Sequence, residues 1–441
     1  MSRLVLTAER LLRIRQSLLG SKQETCAVLL GRAVEVDGHL ARIVVRETLN
    51  VPDDAYLERS AIRALLRPEF VAEVATRISE PGEGLVFVHS HPFELNDFSA
   101  IDDEGEKPLV DFLTRRHPAS RSAALLVTPT GVRARELGTE RGLRVIAPGP
   151  ESIWTEISTQ ESLDLRHDRQ IRAFGNSGQR RLEEIRVGIV GLGGTGSVVC
   201  EQLAHLGIQD FLLVDPDQVE ESNLNRLVGA TSSDLGVSKV AVAERMIQRI
   251  RPSSRVSIRI DSVLKAKVAR DLADVDFLFC CTDSHGSRAV LNQFAYQYLV
   301  PTIDMGVAIT VEKGAVTNIV GRTQLLTPGL ACLTCANLLN PEQVRRDLLT
   351  DFQRQADPYI IGDAEPAPAV ISINSTMASL AVTMFLSVVT GIPSTARMLN
   401  YNAITGVVRP AICTPHPSCI VCSSRGALAR GDEWPLPARQ E

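Results

Sequence analysis

Two imidazoles stand two residues apart in the run His89-Ser90-His91. After seven intervening residues comes Ser99, and Asp102 lies three beyond that. The apolar stretch from Gly84 to Ser90 predicts a strand ending at these histidines, so both rings project from one face. Ser99 and Asp102, three apart at the start of a predicted helix, also share a face. Two imidazoles and a carboxylate form a donor set for Zn²⁺ with the fourth position open to water, as a catalytic site requires. Zinc there would bring the pKa of its water to about 7 and polarise a carbonyl. A general base is then needed, and Glu24, heading the apolar run ETCAVLLGR, is the best upstream candidate. The Ser99 hydroxyl would donate to the developing oxyanion.

A second constellation follows the apolar run RVGIV. Gly191, Gly193, Gly194 and Gly196 open a predicted helix, where glycines permit a tight turn and the helix N-terminus favours an anion. Asp215 ends the next strand, about 20 residues on, where a carboxylate would bind ribose hydroxyls. A dehydrogenase fits that much equally well. Asn223 and Arg226 in ESNLNR, Lys239 in LGVSKV and Asp283 in CCTDSHGSR add two cations and another carboxylate to the crevice. NAD has no need of them, whereas cleavage between the α- and β-phosphates of ATP does. Arg226 and Lys239 would stabilise phosphate charge, Asp283 would hold Mg²⁺, and Asp215 would hold the ribose.

Four of the nine cysteines form two CxxC pairs, Cys332 with Cys335 and Cys419 with Cys422. Two such knuckles suit a closed, structural Zn–S₄ site, provided the fold brings them together. Thioredoxin-type redox activity is the weaker reading, because neither pair follows a thioredoxin-like βαβ pattern. Cys26, Cys200, Cys280 and Cys281 read as small core residues, and Cys413 as a buried or spare thiol.

The elements that must position these groups fall into two sets. A helix over Val5 to Leu19, strands over Thr25 to Gly31 and Ala41 to Asn50, and a helix within Ala61 to Ile78 lead up to the histidine strand. A helix from Ser99 and two short strands across Ala123 to Arg135 complete an α+β domain, residues 1–137. Weak periodicity with Pro148 and Pro150 marks a linker, residues 138–165. From Ile185 strands and helices alternate, which implies βαβ units and a mostly parallel sheet in a domain of residues 166–424. Residues 425–441, polar and proline-containing, read as a disordered tail. The fold class is α/β.

Bulk composition narrows the function. A chain of 441 residues needs more than one core. Its 22% charged and 44% hydrophobic residues are the balance of a soluble globular protein. A formal net charge of −5 argues against a nucleic-acid partner, and 4% aromatics argue against base-stacking platforms. The N-terminus lacks the apolar core of a signal peptide, and no uninterrupted apolar run approaches the roughly 20 residues of a membrane span. A cytoplasmic protein without a membrane partner is expected, its cysteines serving as ligands or buried thiols more readily than disulfides.

The string from His89 to Asp102, with Glu24 upstream, resembles the JAMM metalloproteases of the MPN/JAB fold. That resemblance implies Zn²⁺ on His89, His91 and Asp102, and cleavage of isopeptide or peptide bonds after the C-terminal glycine of ubiquitin-like proteins. Residues from about 166 to 422 are similar to the Rossmann-like adenylation domain shared by MoeB, ThiF and ubiquitin-activating enzymes, including the opening RHDRQIRAFGNSGQRRL. This second likeness implies ATP and Mg²⁺ as cofactors, a homodimer in which Arg169 reaches the partner subunit's ATP, and zinc on the four paired cysteines.

Family members that form a thioester carry a cysteine in the crossing segment after the first knuckle. Residues 336–368 contain none. Thioester transfer is therefore not expected, while acyl-adenylate formation is. Together the likenesses imply a bifunctional enzyme acting on a ubiquitin-like or sulfur-carrier protein with a glycine-rich C-terminus, alongside a sulfur donor or conjugating enzyme. Adenylation of a peptide or small carboxylate, or a binding scaffold with inactive sites, are the alternatives.

Overall fold

The computed structural model describes residues 1–93, 95–155, 164–350, 352–353 and 368–440. Its contacts divide the chain into two units. The first comprises Met1–Gly149, Ile153–Glu156 and Leu428–Trp434; the second comprises Pro150–Ser152, Ile157–Ala427 and Pro435–Glu441.

In the first unit the order is β1 (Arg3–Val5), α1 (Ala8–Leu18), β2 (Cys26–Val36), β3 (His39–Leu49), β4 (Tyr56–Arg59), β5 (Ala64–Leu66), α2 (Pro68–Ala75) and β6 (Glu83–Ser90). Then come α3 (Ala100–Arg116), β7 (Ala123–Val127), β8 (Val132–Glu136), β9 (Gly142–Pro148) and β10 (Ile153–Thr155). The main sheet runs β1-β3-β2-β6-β7-β8-β9-β10, and β1 also pairs with β9, so the sheet closes on itself.

Period-two alternation divides each central strand between two cores. In β6, Val86 and Val88 face α1 with Leu11, Ile14 and Leu18. Leu85 and Phe87 face the other way, against Val71 and Val74 of α2 and Leu113 of α3. The same odd-numbered parity continues to His89, which places its ring on the α3 side.

Three readings of this region need correction. The helix expected over Val5 to Leu19 begins only at Ala8, because Thr7 caps it by accepting from Arg10 N at 3.2 Å, and residues 3–5 form a strand. The helix expected within Ala61 to Ile78 starts at Pro68, a residue suited to the first helical position, while Ala64–Leu66 pairs with β4. The region read as a linker contains β9, whose backbone bonds to β1 and β8 complete the sheet.

The expected disordered tail is also not found. Arg430 donates to Glu433 at 2.8 Å, and Glu433 pairs with Arg46 of β3. Further on, Arg439 donates to Asp347 O at 2.6 Å in the second unit. Charged side chains finding partly buried partners order a segment that composition alone reads as solvated.

The second unit holds α4 (Asp168–Glu184), β11 (Arg186–Val190), α5 (Gly194–Leu206), β12 (Asp210–Val214), α6 (Lys239–Ile250), β13 (Arg255–Arg259) and α7 (Ala266–Asp271). It continues with β14 (Phe277–Cys280), α8 (His285–Gln297), β15 (Thr302–Glu312), β16 (Ala315–Leu326), α9 (Pro341–Leu348), α10 (Ile371–Thr390), β17 (Met398–Asn402) and β18 (Val407–Pro410). The sheet order is β13-β12-β11-β14-β15-β16-β17-β18. Pairings from β13 to β15 are parallel and those from β15 to β18 antiparallel. Strand order reverses between β11 and β14, which creates a crevice at their carboxyl ends.

Helix α10 is long and apolar enough, by length and composition, to cross a membrane. Here Met377, Ala381 and Phe385 are buried, and the Phe385 ring packs on Phe277 and Phe279 of β14 at 4.8 and 5.5 Å. Its apolar character serves the core of this unit.

Candidate functional site

In the first unit β6 delivers His89, and His91 follows just beyond its end. Asp102 arrives from the first turn of α3, where Ser99 is the N-cap. Asp102 N donates to Ser99 Oγ at 3.3 Å, while Ser99 N and Oγ donate to Asp102 Oδ2 at 2.6 and 2.7 Å. This reciprocal capping box aims the carboxylate. Its Oδ1 lies 3.2 Å from His89 Nε2, and Oδ2 lies 3.4 Å from His91 Nε2. The Ser99 hydroxyl proton, expected on an oxyanion, is engaged with Asp102 instead, because a capping serine finds its acceptor locally.

One donor atom from each of His89, His91 and Asp102 lies within 4.8 Å of the others. His91 Nδ1 is 3.1 Å from Leu95 O; donation there leaves the Nε2 lone pair facing the cluster. His89 Nε2 is buried without a hydrogen-bond partner although Asp102 Oδ1 is close. A buried imidazole nitrogen that approaches a carboxylate without bonding to it suits a divalent cation between them.

Glu24 Oε1 reaches within 3.6 Å of His91 Nε2. Burial raises the Glu24 carboxyl above its usual range despite the neighbouring histidines. Burial also opposes ionisation of Asp102, but the adjacent His89 and His91 imidazoles and the Ser99 backbone N–H overcome it and hold Asp102 well below the carboxylate range. A cavity of about 580 Å³ opens beside Glu24, His89 and Asp102, walled by Leu66, Phe87 and Phe112. All five residues read from the sequence are thus adjacent.

In the second unit the glycine run sits at the strand-order reversal. A Cβ on Gly196 would stand 1.9 Å from Gly191 O, and Gly191 itself has φ +89°. A Cβ on Gly194 would stand 2.2 Å from Asn374 Nδ2 and 3.4 Å from Arg226 Cδ, so both side chains abut the loop. Asp215 Oδ2 accepts from Leu192 N at 2.6 Å and Oδ1 from Asp217 N at 2.8 Å, which ties the carboxylate to the glycine turn. Burial pushes the Asp215 carboxyl upward, against those hydrogen bonds. Lys239, first residue of α6, donates to Asp217 Oδ2 at 2.7 Å. Asn223 accepts from Glu220 N at 3.3 Å, and its backbone carbonyl accepts from Arg226 N at 3.0 Å. Asp283 is exposed in the loop after β14, next to Thr282, whose backbone N would lie 3.0 Å from a Cβ on Gly191.

A family model described as the ThiF family matches residues 167–421, and one described as prokaryotic homologs of the JAB domain matches residues 9–138. The chain belongs to the ThiF family. It carries a JAB domain ahead of the ThiF domain. Molybdopterin-synthase adenylyltransferase of Escherichia coli is 31% identical over 272 residues, spanning 60% of this chain and 98% of that protein. The SAMP-activating enzyme of Haloferax volcanii is 26% identical over 254 residues, 57% of this chain and 85% of that one. Sulfur carrier protein adenylyltransferase of Thermus thermophilus is 27% identical over 277 residues, 60% and 92% respectively.

The ThiF domain also gathers the four paired cysteines. Cys332 Sγ lies 3.6 Å from Cys419 Sγ, and Cys335 Sγ 3.5 Å from Cys422 Sγ. Sulfurs on a tetrahedral zinc, each about 2.3 Å from the metal, would be about 3.8 Å apart; a disulfide would need about 2 Å. Backbone N–H groups of Cys335, His416 and Val421 donate to these sulfurs at 3.3–3.4 Å. Hydrogen bonding from the Cys422 thiol lowers the Cys332 thiol below its ordinary range, which favours a thiolate there. Sulfur-only donors in this geometry fit a structural zinc ion.

Arg169 stands exposed on α4; among the described residues, no hydrogen bond or ion pair ties it to the glycine loop of its own ThiF domain. The cysteine-free crossing segment lies partly outside the described residues, at 351 and 354–367. Sequence reasoning missed Asp217, Asn374 and Arg288. Arg288 donates to Thr282 O at 3.2 Å and to Met305 O at 3.1 Å, and so braces the loop carrying Asp283. Its place in the quoted run CCTDSHGSR was the one available signal. Asn374, on a helix 180 residues beyond Gly194, gave none.

Proposed function

We propose that the chain is a bifunctional enzyme acting on a ubiquitin-like or sulfur-carrier protein with a glycine-rich C-terminus. The ThiF domain adenylates that terminal glycine, and the JAB domain is a zinc-dependent peptidase that exposes or releases it. The observation carrying the reading is the convergence of the glycine turn, Asp215, Arg226 and Lys239 on one crevice. Relatives named for adenylation of molybdopterin synthase and of a sulfur carrier support it.

In this reading Asp215 takes the ribose hydroxyls. The loop amides and the α5 N-terminus take the phosphates, Arg226 and Lys239 balance their charge, and the neutral Asn223 amide offers a hydrogen bond. Asp283 offers a hard oxygen donor to Mg²⁺. A carboxylate oxygen of the carrier's terminal glycine attacks the α-phosphorus. The new P–O bond forms as the bond to the oxygen bridging to the β-phosphate breaks; pyrophosphate leaves and an acyl-adenylate remains. With no cysteine in residues 336–368, an external sulfur donor or conjugating partner attacks that adenylate. Arg169 completes the partner subunit's ATP site in a homodimer.

In the JAB domain His89, His91 and Asp102 would hold zinc, which supplies a water of lowered pKa and polarises the scissile carbonyl. Glu24 takes the proton of the attacking water and returns it to the leaving amine.

ATP–pyrophosphate exchange with the full chain and a Gly-Gly-terminated carrier tests the first half, wild type against Asp283→Ala. Exchange that requires the carrier and is lost in the variant is the expected result. No exchange with any carrier, despite bound ATP, would overturn the activating role. A carrier bearing a C-terminal extension tests the second half: wild type should cut it after the glycine, and His89→Ala should not.

A further inference from the structure

We propose that Arg135 is a positioning residue for the metal ligands His89 and Asp102, acting through the Phe98 ring and the first turns of α3. The proposal rests on the metal-site reading above. Arg135 comes from β8 and is buried, 7% exposed. Its Nε and Nη2 donate to Glu106 Oε1 at 3.1 and 2.8 Å, and Nη2 also donates to Asp103 Oδ1 at 2.6 Å. Asp103 is the neighbour of Asp102, and Glu106 is one helical turn further along the same helix. The other Glu106 oxygen accepts from Gly138 N at 2.6 Å, so this carboxylate is itself anchored. One guanidinium therefore fixes how the start of α3, and with it Asp102, sits on the sheet.

The flat face of the same guanidinium lies over Phe98, 4.1 Å from the ring centroid. Phe98 then meets His89 edge to face, with centroids 5.9 Å apart and ring planes at 62°. The two histidines are held by different means. A hydrogen bond to Leu95 O sets the His91 ring; the His89 ring packs between neighbours, with Phe98 at 5.9 Å and His91 at 5.1 Å. A ring oriented by packing depends on whatever holds the packing partner. Cation–π attraction holds Phe98 against an arginine that cannot shift without breaking a buried ion pair to Glu106 and a second pair to the half-exposed Asp103. Arg135 thus couples the orientation of one ligand to the placement of the other.

The test uses the full chain with zinc affinity read by chelator competition and geometry read from the visible spectrum of Co²⁺ in the same site. His89→Ala identifies which metal signal belongs to the JAB domain. Phe98→Leu is expected to weaken zinc binding there about 10–100-fold and to change the Co²⁺ spectrum, and Phe98→Tyr to restore both. Arg135→Lys keeps a charge for Glu106 but loses the flat face, and is expected to shift the spectrum in the same direction as Phe98→Leu. A merely structural role would lower the unfolding midpoint of the metal-free protein and leave affinity and spectrum unchanged; that result overturns the proposal. Absence of any His89-dependent metal signal in the wild type would instead bring down the metal-site reading, and this inference with it.

Discussion

Lys239 and Asp217 form an ion pair at 2.7 Å, and the Asp217 N–H donates to Asp215. The residue expected on the ribose and the cation expected on the phosphates are therefore two ends of one short network. Lys239→Met is expected to lower the rate of ATP–pyrophosphate exchange about 10²–10³-fold, the scale for removing one preorganised charge from a transition state. Asp217→Ala keeps the cation but frees it, so it should chiefly raise the KM for ATP. Equal losses in kcat for the two variants would show that Lys239 acts only as a structural partner of Asp217.

Gly196 carries the closest backbone approach in the nucleotide turn. Any Cβ there must displace Gly191 O, 1.9 Å away. Gly196→Ala is expected to cost about 1–3 kcal/mol of stability, as overpacking does, and to abolish ATP binding measured by calorimetry. Retained ATP affinity would mean the turn opens without consequence.

The paired knuckles should behave as a single metal site. Cys335→Ser is expected to remove about one zinc equivalent per chain and to lower the unfolding temperature, because metal binding is coupled to folding. Loss of metal from His89→Ala should be additive with it, as the two clusters share no ligand. Native mass spectrometry reads both counts.

Asp304 is fully buried between Arg288 and Arg322. Burial opposes its ionisation, but the guanidiniums, Arg288 foremost, hold the carboxyl below its ordinary 3.8. A depressed carboxylate contributes stability that is present above the unfolded-state value and lost as pH falls through the folded one. The urea midpoint should therefore fall on acidification from about pH 7 to about pH 3. Asp304→Asn leaves two largely buried cations without their carboxylate and should cost about 3–5 kcal/mol, while removing this part of the acid response. An unchanged acid response in the variant would assign the effect to other groups.

Glu24→Gln preserves the shape of the JAB site while removing its base. Cleavage of an extended carrier is expected to fall about 10²–10⁴-fold with zinc content unchanged. Undiminished cleavage would mean another group moves the proton.

The parts of this fold that sequence made legible were those governed by local rules. The continuous apolar runs of β2 and β6, the helix start at Ser99 and the glycine turn after β11 each follow from residues within a few positions of one another. So do the candidate ligands within each knuckle and in the histidine pair, which are short motifs, although the meeting of the two knuckles is tertiary. What escaped depended on distant partners. Residues 64–66 read as helix because their pairing with Tyr56–Arg59 is set by tertiary context. Strand β9 read as linker because its three-residue pairing with Arg3–Val5 reaches the other end of the unit, and only two residues pair with the neighbouring β8. Asn374 was invisible as a site residue because helix packing, not spacing, brings it to the glycine loop.

Residues 428–434 follow the end of the ThiF match at 421, yet they belong to the unit that begins at Met1. A gene divided once between the two domains would leave its first product without the partner that Glu433 gives Arg46. Two breakpoints, or a transplanted tail, would be required to part them cleanly. The first unit is thus discontinuous in sequence, and its completion waits on residues synthesised after the whole ThiF match.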